Sequence, residues 1–149
     1  MLFAIENTQE EGGVVDASRL VLPVTALTPA CYQDMFYQCV HLVAAPALPA
    51  TTLVGYCYQE MFMGCTSLTS APELPAPVLT DWCYAQMFSN CPSLNFVKCL
   101  ATDISVNDCT VDWLNGVPAE GTFEKAPGMT SWPSGSSGIP TGWTVVDAT

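Results

Sequence analysis

Basic residues are almost missing from this chain. Arg19, Lys98 and Lys125 stand against 14 acidic residues, for a formal net charge of −11. Three cations cannot make a basic patch, and a polyanion would be repelled, so nucleic-acid binding is excluded. The acids are scattered, as suits the solvation of an apolar chain in which only 11% of residues are charged. Apolar runs of about 18 residues, the minimum for a membrane-spanning helix, are also missing, which excludes a membrane span. Met1 opens no secretion signal: a basic start is lacking, and Glu6, Glu10 and Glu11 interrupt the segment that would have to be apolar. The repeat pattern described below is already under way near the start, so the chain is expected to be a mature piece of a longer protein.

The residue sets that carry enzyme chemistry are equally scarce. One histidine, His41, leaves no Ser-His-acid triad to arrange. No closely spaced carboxylate pair of the glycosidase kind stands out beyond the neighbours Glu10 and Glu11. Glycine-rich phosphate loops and Asn-x-Ser/Thr sites do not occur. The eight cysteines contain no Cys-x-x-Cys pair, and their recurring spacing suits neither a zinc knuckle nor a thioredoxin-like motif. The chain is therefore read as a non-enzyme without cofactor or metal.

What the chain has instead is a repeat. The stretch from Cys57 to Trp82 recurs one period earlier from Cys31 and begins again at Cys83, at a spacing of 26 residues without a gap. Cys31, Cys57 and Cys83 align; so do Met35, Met61 and Met87, then Phe36, Phe62 and Phe88, then Cys39, Cys65 and Cys91, then Leu42, Leu68 and Leu94. Leu22-Pro23 joins this register, and Cys109 continues it into a fourth unit where Trp113-Leu114 replace Met87-Phe88. Strict self-similarity at such a period predicts units that bury their apolar sides against their neighbours. The predicted organisation is a cap or degenerate repeat over 1–19, an array over 20–125 and a C-terminal cap over 126–149. In the first of these, Leu2-Phe3 reads as a worn Met-Phe pair, and Val14-Val15 is β-prone. In the last, Gly142 to Val146 reads as a closing strand.

Within a unit, Tyr-x-x-Met-Phe spaces apolar side chains by three and four, which predicts one or two helical turns. The Leu-x-x-Ala-Pro-x-Leu-Pro segment that follows (Leu68 to Pro75) predicts a strand of about three residues, because proline cannot donate to a ladder. Such strands would stack in parallel about 4.8 Å apart.

The string Met61-Phe62-Met63-Gly64-Cys65-Thr66-Ser67-Leu68, matched at Met35 to Leu42 and Met87 to Leu94, resembles the units of BspA-like (type 5) leucine-rich repeats. The resemblance covers roughly residues 20 to 125, with Met in place of the usual Ala and with Pro46 and Pro72 lengthening the strand segment. The ending Gly138 to Val145 also looks like surface repeat proteins of gut Bacteroides and relatives. It implies an α/β repeat: a right-handed leucine-rich-repeat solenoid of short parallel strands and short helices, capped at both ends. It implies too a secreted or surface-attached protein that adheres to a host or bacterial surface macromolecule, protein or glycan.

In such a repeat Leu68 and Ala71 face inward, and the residues between them face outward. Two outward rows follow: Ala44, Ser70, Phe96, Thr122, and Pro46, Pro72, Lys98, Glu124. Ser70, Phe96, Lys98, Thr122 and Glu124 are thus the candidate ligand-binding residues. Phe96 and Lys98 lead, because they replace small residues on that face; the alternative for Phe96 is that it folds over the C-terminal cap. Two of the cysteine positions form interior columns, for which small, apolar thiols are suited. Cys99 belongs to no column, and in an exported protein a Cys99–Cys109 disulfide would close the loop between them; otherwise both are buried and free. Trp113, Trp132 and Trp143 either plug the end of the core or offer a platform for sugars. The functional alternatives to adhesion are a structural spacer without its own ligand and a glycan-binding surface module.

Overall fold

The computed structural model describes residues 13–22 and 27–149. Leu2-Phe3 and most of the N-terminal segment, together with Pro23, lie outside the described residues. Successive 26-residue segments run side by side in the same direction, as the sequence period requires. Tyr32 N–H donates to the Cys57 carbonyl at 2.9 Å, Tyr58 N–H to Cys83 at 3.0 Å and Tyr84 N–H to Cys109 at 2.9 Å.

The expected solenoid with short helices is not what forms. No helix occurs among the described residues, and the regular sheet consists of three four-residue strands, β1 (Phe96–Cys99), β2 (Thr122–Lys125) and β3 (Thr144–Asp147). Where Tyr-x-x-Met-Phe predicted helical turns, the backbone alternates its hydrogen bonds. Cys31, Gln33, Met35, Tyr37 and Cys39 each donate to the carbonyl three residues back, while Ala30, Tyr32, Asp34, Phe36 and Gln38 donate across to the next segment. The pattern recurs from Tyr56 to Cys65. Every fourth residue has positive φ: Ala30, Asp34 and Gln38, then Tyr56, Glu60 and Gly64, then Trp82, Gln86 and Asn90, then Asp108, Asp112 and Gly116. A positive φ at the third residue is what a type II turn requires and what a helix cannot contain. Each segment is a chain of tight turns with half its N–H groups turned to its neighbour.

For a side chain other than glycine, a left-handed backbone costs about 1–2 kcal/mol per residue. The compensation is that two apolar side chains in every four point the same way. From Cys57 to Cys65, Cys57, Tyr58, Met61, Phe62 and Cys65 are buried, and the pairs Gln59-Glu60 and Met63-Gly64 between them are only half-buried. Identical residues then stack on one another along the array. Phe36, Phe62 and Phe88 are parallel, with ring centroids 5.4 and 5.5 Å apart. Tyr32, Tyr58, Tyr84 and Trp113 form a second ladder at 5.8, 6.0 and 6.0 Å. Offset stacks of this kind add about 0.5–1.5 kcal/mol per pair to the area they bury.

The sheet is parallel, in the order β1-β2-β3. Phe96 pairs with Thr122 in step with the period, whereas Thr122 pairs with Thr144. Earlier units contribute isolated bridges only, Asp16 to Ala44, Ser70 to Phe96, Leu74 to Cys99 and Val78 to Asp103. The proline content accounts for that: Pro46, Pro49, Pro72, Pro75 and Pro77 have no N–H to give. Lacking proline, Phe96–Cys99 and Thr122–Lys125 form true strands.

At the C-terminal end, Trp113 is fully buried, edge-on to Phe123 and stacked 5.5 Å from Trp132. Its Nε1 donates to the Gly138 carbonyl at 2.8 Å, and Trp143 Nε1 donates to the Pro118 carbonyl at 2.9 Å. Trp143 is buried over Gly121, where even a Cβ would come within 2.5 Å of the indole.

Candidate functional site

The outward face of the sheet brings all five candidate residues into one patch. Phe96 bridges Ser70 on one side and pairs with Thr122 on the other, and Lys98 pairs with Glu124. Alternation along β1 turns Val97 and Cys99 into the core and leaves Phe96 and Lys98 half-buried on the outside. Ser70 is exposed, and Thr122 and Glu124 are half-buried. Beside Phe96 lies a shallow depression of about 490 Å³, lined by Asn95, Phe96, Glu120, Gly121, Thr122 and Thr144. Gly121 is required beside it, since a side chain there would strike Trp143 and the Asn95 carbonyl.

Lys98 is not a free cation. Its Nζ lies 3.4 Å from Glu73 Oε2, an exposed pair worth at most about 1 kcal/mol. Lys125 is likewise joined to Asp147. The sequence period holds the Glu73 pairing implicitly, since Glu73 lies one period before Cys99 and therefore beside Lys98.

All eight cysteines are buried free thiols, Cys99 and Cys109 among them. No disulfide closes the loop between those two; Cys109 Sγ instead lies 3.7 Å from the Ile104 carbonyl. Cys65 and Cys91 donate to the carbonyls of Phe36 and Phe62 at 3.2 and 3.1 Å. Burial pushes the thiols of Cys57, Cys83, Cys91 and Cys99 up to about 12 and raises that of Cys65 further. A thiol with so high a pKa is roughly one part in ten thousand thiolate at pH 8, and thiolate is the reactive form. Iodoacetamide at pH 8 should therefore leave these five thiols unmodified in the native chain and alkylate them all in guanidinium. Rapid labelling of Cys65 or Cys91 in the native state would contradict the burial described here. Among the described residues, no group of three or more His, Cys, Asp or Glu side chains is placed to hold a metal ion.

The stack also places two acids together. Asp34 and Glu60 occupy the same column of positive φ, and one Asp34 oxygen is buried without a partner. Desolvation raises both carboxyls; for Glu60 the neighbouring Asp34 charge adds to it, while for Asp34 a hydrogen bond with Glu60 works the other way. Folded pKa values above the unfolded ones mean that the folded chain holds protons more tightly. The pair's contribution to stability is fully present below the ordinary carboxylate range and is lost as pH rises through the raised values. Glu60→Gln, which copies Gln86 one period on, should gain stability relative to the parent as pH rises from 4 to 7 in urea melts. A difference that does not change with pH would contradict this coupling.

A second concavity, of about 460 Å³, opens at the C-terminal end and was not read from the sequence. Lys125, Met129, Trp132, Ile139, Trp143 and Val145 are among the residues that line it. These residues fall outside the 26-residue period, so no column pointed to them. The Trp132 Nε1–H is buried with no acceptor. His41 is exposed and lines neither concavity.

No family model, curated protein or solved structure matches this chain. No helix among the described residues is long and apolar enough to cross a membrane.

Proposed function

We propose that this chain is a non-enzymatic, secreted or surface-attached repeat module that holds a host or bacterial surface macromolecule against its sheet face. The observation that carries this reading is the patch around Phe96. An aromatic side chain stands in a row otherwise made of Ser70, Thr122 and Thr144, beside a shallow depression. Stacked parallel segments commonly offer such a face as an extended binding surface. The BspA-like resemblance of the Met-Phe-x-x-Cys-x-x-Leu string supports the extracellular setting.

Replacing Phe96 and Lys98 with Ala should weaken attachment to matrix proteins or to glycans in an array screen at least tenfold, with the fold retained in circular dichroism. Retained binding in a stable double variant would remove this face from consideration. A screen with no binder for the parent would favour the spacer reading, to which the Ala, Pro, Ser and Thr of the remaining surface are suited.

A further inference from the structure

Among the described residues β3 is the outermost strand of the sheet, and its outer edge is ready to pair. Thr144 N–H donates to Gly121 and Ala148 N–H to Lys125, both towards β2. Backbone groups alternate sides along a strand, so the N–H and C=O groups of Val145 and Asp147 face away from β2, where no further strand lies among the described residues. Folded proteins ordinarily blunt such an edge with proline, a free lysine or a bulge. Here the strand reads Thr-Val-Val-Asp, all four residues are exposed, and Val145 and Val146 are 43% and 39% exposed. Val145 pairs with Phe123, which pairs with Val97, so it belongs to the inward column and yet remains uncovered. The groove of Met129, Trp132, Ile139 and Trp143 adjoins it, with Val145 itself and Lys125 among its lining residues.

We propose that this edge and groove receive an extended basic peptide from another protein, added to the sheet as a fourth strand. Its main chain would satisfy Val145 and Asp147, and one apolar side chain would enter the groove beside Trp132. Addition of a strand to an open sheet edge draws affinity from backbone bonds and specificity from alternate side chains. Charge selects the occupant. A body of net charge −11, whose Lys98 and Lys125 are already paired, attracts a cationic segment and repels both an acidic one and a second copy of itself. This inference stands apart from the Phe96 face, and either can fail alone.

The test uses the full chain and a fluorescein-labelled decapeptide of alternating valine and lysine, read by fluorescence anisotropy. Saturable binding is expected, weakened at least tenfold by Val145→Pro, by N-methylation of alternate peptide residues and by exchange of lysine for glutamate. The methylated peptide leaves the protein untouched, so a folding defect in Val145→Pro cannot decide the outcome. Binding that survives methylation, equal binding of the glutamate peptide, or no binding at all would overturn the proposal. So would concentration-dependent self-association in sedimentation without peptide binding, which would assign the edge to a second copy.

Discussion

Trp113→Ala should cost about 3–5 kcal/mol, a large share of the 5–15 kcal/mol that holds a domain of this size together. Trp113 is fully buried and ends the tyrosine ladder, touching Tyr84, Phe123 and Trp132. Removing it empties the place where the repeated segments meet the C-terminal residues, and it strands the Gly138 carbonyl that accepts from Nε1. Trp113→Phe separates the two effects. It keeps an aromatic ring on Tyr84 and loses the donor, so it should cost about 1–3 kcal/mol from the orphaned carbonyl. Urea melts followed by near-ultraviolet circular dichroism measure both. A loss below about 1 kcal/mol for Trp113→Ala would mean that Trp113 is not the keystone of this end.

Gly138→Ala should be the most damaging single-methyl addition. A Cβ at Gly138 would lie 2.0 Å from the Pro133 carbonyl oxygen and 2.7 Å from its carbon. These are backbone atoms, and the same oxygen already accepts from Ile139 N–H at 2.9 Å. The loop must open, taking with it the carbonyl that holds Trp113, so the loss should sit at or above the top of the ~1–3 kcal/mol usual for overpacking. Gly135→Ala is the contrast. Nothing lies within 4 Å of its added Cβ, and only the positive φ of 115° opposes it. That variant should lose about 1–2 kcal/mol, the cost of a left-handed backbone alone. Equal losses at the two positions would contradict the close approach of Gly138 to Pro133.

The 26-residue register and the buried columns were legible because they rest on which side chains are apolar, and burial follows that directly. The local backbone was not. Cys57, Tyr58, Met61, Phe62 and Cys65 fit a period of 3.6 nearly as well as one of 4 over nine residues, and helical turns are the usual reading of such spacing. What decides between them is φ at Tyr56, Glu60, Trp82 and Gln86, residue types that give no hint of a left-handed conformation. Cross-segment bonds and ring stacks enforce it, and those exist only once the neighbouring segment is in place. Trp113 illustrates the same limit. Sequence alignment put it in the Met87 column, yet its indole stacks on Tyr84, because a large ring at the last segment fills the tyrosine ladder.

The candidate face shows a similar division. Outward placement of Phe96, Lys98, Ser70, Thr122 and Glu124 followed from strand alternation, and the depression beside Phe96 needed Gly121 and Glu120 from the neighbouring segment. The β3 edge and its groove depend on residues after Lys125, which share no period with the array. There the signal in sequence was weaker: a Val-Val strand with no proline or free lysine to guard it.

The most direct test of the account is to shorten the array in register and out of register. Residues 57–82 are one full period, so their removal brings Cys83 to follow Tyr56 and sets Tyr32 on Tyr84 and Phe36 on Phe88. That shortened chain should unfold cooperatively in urea, with the parent's circular dichroism shape and a smaller denaturant slope in proportion to its lost surface. Removing residues 57–81 instead shifts every column by one residue and turns buried side chains outward; this variant should show no cooperative transition. Equal behaviour of the two deletions would contradict a fold held together by register between stacked segments.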